Sequence, residues 1–156
     1  MTLNINELMR GGTCMLSKAG LAVGGTASKA RLNNPTTTGW STWAINGFTY
    51  TIEDADNGII LSGDEQADLS TCLYTVCIST AGAGTVVQGE VELTADVTAG
   101  KVALDWPAPT VDTCPVGGIK VVTSGGVFTP GTTSLGTLNT ATYYDFFCIP
   151  TGPITS

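Results

Sequence analysis

PAPTVDTCPVGGIKVVTSGGVFTPGTTSL, residues 107–135, is the segment from which the architecture can be worked out. Residues 117–124 alternate between two sides as a half-buried strand does, and proline or glycine bounds the run at both ends. Ser124, Gly125 and Gly126 can supply the positive φ angles of a tight hairpin turn, and Thr129-Pro130-Gly131-Thr132 suits a type II turn. The segment therefore predicts a strand, a turn and a second strand.

The composition extends this pattern to the whole chain. Its 156 residues suit one domain, and they include 26 threonines and 20 glycines but only 12% charged residues. Similar alternation predicts a hairpin over 41–52 around Asn46-Gly47 and strands over 58–61, 71–78, 87–93, 101–106 and 142–148. Short strands separated by turn residues indicate an all-β fold, a β-sandwich or barrel of about eight antiparallel strands.

Residues 1–38 differ from the rest of the chain in composition and charge. They are rich in glycine and lack apolar periodicity, which predicts an extended N-terminal arm ahead of a body over residues 39–156. Residues 1–31 carry a net charge of +3 and residues 32–156 a net charge of −10. This asymmetry fits a solvated tail or an arm that docks on an acidic partner surface. The candidate docking residues are Arg10, Leu16, Lys18, Leu21, Lys29, Arg31 and Leu32.

The residues that catalysis and metal binding usually need are not arranged for either task. Histidine is absent and the five cysteines are irregularly spaced without a CxxC pair, so zinc ligand sets and Ser-His or Cys-His pairs are missing. Asp54, Asp56, Asp64 and Glu65 have the chemistry for glycoside hydrolysis, but an acidic run between strands is typical of a solvated loop. We expect no enzymatic activity, no metal and no cofactor.

Nucleic acid and membranes are not expected partners. Four scattered cations would neutralise few phosphates, and the acidic body would repel a nucleic acid backbone. The apolar patch over residues 20–25 is too short and too rich in glycine for a signal-peptide core or a membrane span. Synthesis in a reducing cytoplasm is therefore expected.

Several segments together resemble a known group of proteins. They are, in chain order, WAINGFTYTIEDADNG at 43–58, Gln66-Ala67 followed by CLYTVCI at 72–78, CPVGGIKV at 114–121, FTPGTTSL at 128–135 and TATYYD at 140–145. This order is similar to that of small structural proteins of tailed bacteriophages. The resemblance implies a virion protein on the capsid surface, with a decoration or cement role and the major capsid protein as its partner. The alternative is a tail or head-fibre module that binds a host receptor or glycan.

The last predicted strand is aromatic on both faces, which suggests self-association. Tyr144 and Phe146 would point to one side, and Tyr143 and Phe147 to the other. Such a strand is either central in its sheet or covered by another subunit. A closed homo-oligomer would cover it, and a trimer suits the local symmetry of capsid surfaces.

The cysteine pattern predicts that the protein folds in fully reducing buffer and binds no zinc. Its thiols are expected to act as small buried apolar groups. Thermal melts with and without reductant, together with elemental analysis, check this. A melting temperature that falls steeply with reductant, or stoichiometric zinc, would contradict it.

Overall fold

The computed structural model describes residues 12–32, 40–53, 55–136 and 139–147. Within these ranges the chain is mostly strand, so the predicted all-β class is confirmed. The elements in chain order are β1 (Cys14–Met15), β2 (Leu21–Val23), β3 (Lys29–Leu32), β4 (Trp40–Ile45), β5 (Phe48–Glu53), β6 (Ala55–Ile60), β7 (Ser70–Ser79), β8 (Gly84–Leu93), α1 (Thr94–Thr98), β9 (Thr113–Thr123) and β10 (Asn139–Asp145).

The strands form three antiparallel sheets. Sheet I has the order β1-β4-β5, sheet II the order β2-β3-β6, and sheet III the order β10-β9-β7-β8. None of them closes into a barrel over the ranges given above. The sandwich arrangement stays a prediction.

β7 lies at the centre of sheet III and is buried along nearly its whole length. On one face, Cys72, Tyr74, Val76 and Ile78 join a core to which all three sheets contribute. We call it the main core, and sheet I supplies Met15, Trp43 and Ile45 to it. The alternation over residues 71–78 correctly predicts that one face of this strand is fully buried.

The second face of sheet III is covered by α1 and the irregular segment that follows it, residues 94–107. Leu73 of β7 packs there with Val97, Leu104, Trp106 and Phe146, and we call this group the second core. Hydrogen bonds fix the segment along β7 at both ends. The hydroxyl groups of Thr71 and Thr94 are 2.9 Å apart, and Thr75 Oγ1 donates to the Pro107 carbonyl at 2.8 Å. The alternation over 101–106 predicts a strand, and this is wrong: its apolar side chains enter the second core from a covering segment outside the ladder of sheet III.

The hairpin around Asn46-Gly47 is confirmed. β4 and β5 pair without a register shift from Trp40 opposite Glu53 to Ile45 opposite Phe48. Asn46 and Gly47 have φ angles of 52° and 82°, as a two-residue type I′ turn requires.

The predicted hairpin over 117–135 is wrong in its second half. β9 pairs with β10 instead, and the intervening chain leaves the sheet after Gly125 and Gly126. Phe128 forms a single bridge with Gln66 and is fully buried in the main core. The next turn is as predicted, with a φ of 75° at Gly131 and a hydrogen bond from Thr132 N–H to the Thr129 carbonyl.

The N-terminal segment also differs from the prediction wherever it is described. Residues 12–32 do not lie apart as an arm, because β1 pairs with β4 and β3 pairs with β6. Met15, Leu21 and Leu32 are buried in the main core. The sequence shows no apolar periodicity that would predict these strands, because each is only two to four residues long. Their apolar side chains are buried by residues of other sheets. The predicted arm–body boundary lies outside the described residues.

Two local sequence patterns favour elements that the structure does not have. The capping box at Ser62–Glu65 favours a helical turn over 66–69, but Gln66 forms a β-bridge with Phe128 and the chain is not helical there. The acidic run after Glu53 predicts a turn, whereas Ala55–Ile60 is a strand that pairs with β3. In both cases long-range pairing determines the backbone in place of the local preference.

The adjacent glycines Gly117 and Gly118 allow both faces of β9 to be covered closely. A Cβ on Gly117 would meet the Tyr144 carbonyl oxygen and would lie 3.2 Å from Leu21 Cδ2. A Cβ on Gly118 would overlap the indole ring of Trp106 and lie 2.8 Å from Phe146 Cζ. Both positions therefore require glycine, because any larger residue would clash with the groups that cover β9.

Gly118→Ala should lower the free energy of unfolding by about 2 to 3 kcal/mol, because the methyl group must displace the Trp106 ring from a packed core. Gly136→Ala is the matched control, since its Cβ would meet nothing within 4 Å, and it should change stability by less than about 1 kcal/mol. Urea denaturation of both variants measures the difference. Equal stability of the two would show that Trp106 does not pack on Gly118.

Candidate binding surfaces

The residues predicted to dock on a partner fall into two groups in the structure. Leu21 and Leu32 are buried in the main core and cannot contact a partner. Leu16 is 50% exposed and the Lys18 side chain 66% exposed. Lys29 and Arg31 on β3 are half-buried, and Arg10 lies outside the described residues.

The loop that carries Lys18 is held against the end of β10 by Asp145. One carboxylate oxygen of Asp145 accepts a hydrogen bond from Leu21 N–H at 2.9 Å, and the other lies 3.7 Å from Lys18 Nζ. The long ion-pair distance and the exposure of Lys18 make this contact weak. The ammonium group of Lys18 therefore remains accessible.

Leu16 directly follows β1, and its backbone is hydrogen-bonded to β4 near Trp40, the first residue of that strand. The N–H groups of Leu16 and Ser17 both donate to the Thr42 carbonyl, two residues from Trp40. Trp40 is 42% exposed, whereas Trp43 is fully buried and stacks on Tyr50 with ring centroids 6.1 Å apart. The two tryptophans thus divide into one core residue and one surface residue. Three exposed residues, Leu16 and Lys18 after β1 and Trp40 at the start of β4, make up what we call the sheet I patch.

Most of the aromatic side chains predicted for self-association are used inside the protein. Tyr143 packs against the main core, and burial raises its pKa to about 12. Tyr144 and Phe146 make edge-to-face contacts with Trp106 at centroid distances of 5.5 and 4.9 Å. Phe147 alone among the four is largely exposed, at 70%. The aromatic pattern on both faces of β10 is therefore explained by the two cores, and self-association stays a prediction.

A groove of about 480 Å³ lies between β8 and the segment that covers the second core. Gln88, Gly89 and Glu90 form one wall, and Ala103–Pro107 form the other. Glu90 and Asp105 make it acidic, while Trp106 is buried beneath it and presents little ring surface. No cluster of three metal-binding side chains occurs among the residues that the structure describes.

A buried polar network connects the loop before β7 to sheet III. Gln66 donates to the carbonyls of Ser70 and Val121 at 3.1 and 3.0 Å and accepts from Tyr74 OH at 3.3 Å. Gln88 donates to Tyr74 OH and binds both the N–H and the carbonyl of Asp64. Burial raises the pKa of Tyr74 and holds that of the Cys72 thiol at about 11. These groups stay protonated at neutral pH, so they stabilise the fold and are poor nucleophiles.

Asp68 holds the turn that follows β9. Its carboxylate accepts hydrogen bonds from Gly125 N–H at 2.9 Å and from Leu69 N–H at 2.8 Å. Hydrogen bonds from the backbone of Gly126 and Gly125 lower the pKa of this carboxyl group below its ordinary value of 3.8. Sequence reasoning missed Gln66 and Asp68, because each also binds a residue more than 50 positions away, Val121 and Gly125 respectively.

The carboxylates considered for hydrolysis are not brought together as a described site. Glu65 accepts a hydrogen bond from Thr129 Oγ1 at 3.1 Å, and the backbone of Asp64 is bound by Gln88. Asp54 and the side chain of Asp56 lie outside the described residues.

Comparison of the chain with protein-family models, with curated proteins and with solved structures found no match. In the described ranges, no helix has the length and apolar character to cross a membrane.

Asp68→Asn should remove a pH-dependent part of the stability. Because the folded protein lowers the pKa of Asp68, its charge stabilises the fold above about pH 4, the ordinary carboxyl pKa, and this contribution is lost as the pH falls through the lower folded value. Urea denaturation at pH 7 and at successively lower pH should show a difference between wild type and variant that shrinks with acidification. Glu90→Gln, at an exposed position of β8, controls for net charge. A difference that does not change with pH would contradict the role of the charge.

Proposed function

We propose that the protein is a decoration protein of a bacteriophage head, which binds the major capsid protein on the outer surface of the shell and stabilises it. The resemblance of about residues 40–147 to small structural proteins of tailed bacteriophages motivates this proposal. The observation that carries it is the sheet I patch, where Leu16, Lys18 and Trp40 remain exposed although the chain around them is built into the core.

The patch has the chemistry of a small protein-binding surface. Trp40 and Leu16 supply apolar area that is removed from water on binding, and Lys18, two residues after Leu16, can pair with an acidic group of the partner. The partner surface would be apolar with negative charge. The remaining body, with its net charge of −10 over residues 32–156, limits nonspecific association with other acidic surfaces.

The attachment proposal is tested by substitutions in the patch, because deletion of residues 1–38 would also remove Met15, Leu21 and Leu32 from the core. Trp40→Ala should weaken binding to purified shells that lack the protein by about 30-fold, equivalent to the loss of about 2 kcal/mol at an interface anchor. Leu16→Ser should weaken it by a smaller factor, and Lys18→Gln mainly at low salt. Bound copies are counted by quantitative electrophoresis of the washed shells.

Leu93→Ser is the matched control for Leu16→Ser, because Leu93 is similarly exposed but lies at the end of β8. It should bind shells as wild type does. Wild-type occupancy by a Leu16→Ser/Trp40→Ala double variant would place attachment elsewhere. The same electrophoresis gives the copy number per particle, which for a decoration protein approaches that of the shell protein and for a fibre or tail module is far lower.

A further inference from the structure

The outer edge of β5 is an unpaired strand edge in the part of the chain that the structure describes. β5 is the last strand of sheet I and pairs there with β4 alone. The two residues that flank a two-residue turn, here Ile45 and Phe48, form a hydrogen-bonded pair. Along an antiparallel ladder, hydrogen-bonded pairs alternate with pairs whose backbone groups point away from the partner strand. Tyr50 and Ile52 therefore bond to β4, while the N–H and carbonyl groups of Thr49, Thr51 and Glu53 point away from it.

This edge lacks the usual features that prevent strand addition. Its sequence, FTYTIE, contains no lysine and no proline, and its register has no bulge. Five of its six residues are β-branched or aromatic, types that strands favour. Its single charge is Glu53 at the end of the strand.

The edge of β8, the outer strand of sheet III, is less suited to addition. β8 carries Glu90 and Glu92, and Ser62 Oγ donates to its Val86 carbonyl. Ile59 and Gly58 of sheet II lie against its first residue, Gly84. β5 therefore combines an open edge with little charge.

One face of β5 also leaves apolar surface to be covered. Tyr50 and Ile52 are only partly buried against the main core, and Phe48, on the same side, is 70% exposed. The other face presents Thr49, Thr51 and Glu53, all exposed. A strand that pairs with this edge must therefore alternate between apolar residues and small polar ones.

We propose that β5 pairs with β5 of a second copy of this chain, in an antiparallel register centred on Thr51. In that register each Tyr50 lies opposite Ile52 of the second copy, an aromatic and β-branched pair of the kind that stabilises sheets. The two Thr51 residues face each other, and each Glu53 lies opposite Thr49, so the two carboxylates do not meet. The outward N–H and carbonyl groups of all three edge residues are then satisfied, and two copies of sheet I become one continuous sheet.

The pairing has a defined stoichiometry. When two identical edges pair about a twofold axis, no free edge of this kind remains, so the assembly is a dimer. We therefore expect a dimer in place of the trimer that capsid symmetry suggested. Each chain has a net charge of −7, so moderate salt should strengthen the association by screening the repulsion. This inference does not depend on attachment to a shell.

Sedimentation velocity over a dilution series of the whole protein tests the proposal. Wild type should shift from the 16.0 kDa chain mass to twice that mass, with a tighter dimer at moderate salt. Thr51→Lys puts like charges face to face at the twofold axis and should raise the dimer Kd at least tenfold. Thr51→Pro removes an outward N–H without removing a bond to β4 and should act in the same direction.

Thr85→Lys is the matched control, because it adds the same charge at an exposed position of β8 and should leave the dimer Kd unchanged. Hydrogen exchange of wild type supplies a readout that needs no substitution: the amides of Thr49, Thr51 and Glu53 should exchange more slowly as the protein concentration rises. A wild-type monomer at all concentrations, a trimer, or dimerisation that both Thr51 variants leave unchanged would overturn the proposal.

Discussion

The burial of β7 on both faces is the constraint on which the rest of the structure depends. A strand with two apolar faces needs a cover on each side, and a single sheet of this size cannot supply both. One cover is the main core, for which the short strands of the N-terminal segment bring Met15, Leu21 and Leu32. The other is the segment after β8, which places Leu104 and Trp106 on the opposite face. Gly118 in the neighbouring strand leaves room for that second cover.

The sequence was a good guide where local chemistry determines the backbone. Asn46-Gly47 specifies a turn by its own φ preferences, and the alternation over 71–78 specifies a strand with one buried face. It was a poor guide where residues distant in the chain determine the backbone conformation and the pairing of a segment. The alternation of apolar and polar residues over Val102, Leu104 and Trp106 indicates which side chains face the core. It does not indicate whether the backbone of this segment pairs with a neighbouring strand. β2 and β3 are too short to show any period, and their partners are each other and β6.

The sheet I patch, like the fold, could be predicted from the sequence only in part. Leu16 and Lys18 were candidates for docking and are exposed, but Leu21 and Leu32 looked equivalent to Leu16 in the sequence and are buried. The division between Trp40 and Trp43 depends on which side of β4 faces the main core, and that follows from the packing of three sheets. The same short segment thus supplies both core and surface. A partner that binds the sheet I patch would therefore also stabilise the pairing of β1, which is only two residues long.

The separation of β7 from β9 along the chain affects how the protein reaches its fold. Residues 70–79 pair with residues 113–123, and the segment that covers β7 lies between them, so synthesis completes β7 well before its partner and its second cover exist. During that interval STCLYTVCIS is an uncharged segment rich in strand-forming residues, which favours aggregation. β8 follows after four residues and can form a hairpin with β7 at once, and its Glu90 and Glu92 place negative charge on the outer strand of that hairpin. We therefore expect slow folding, limited by long-range strand pairing, with the β7–β8 hairpin as the earliest structure of sheet III.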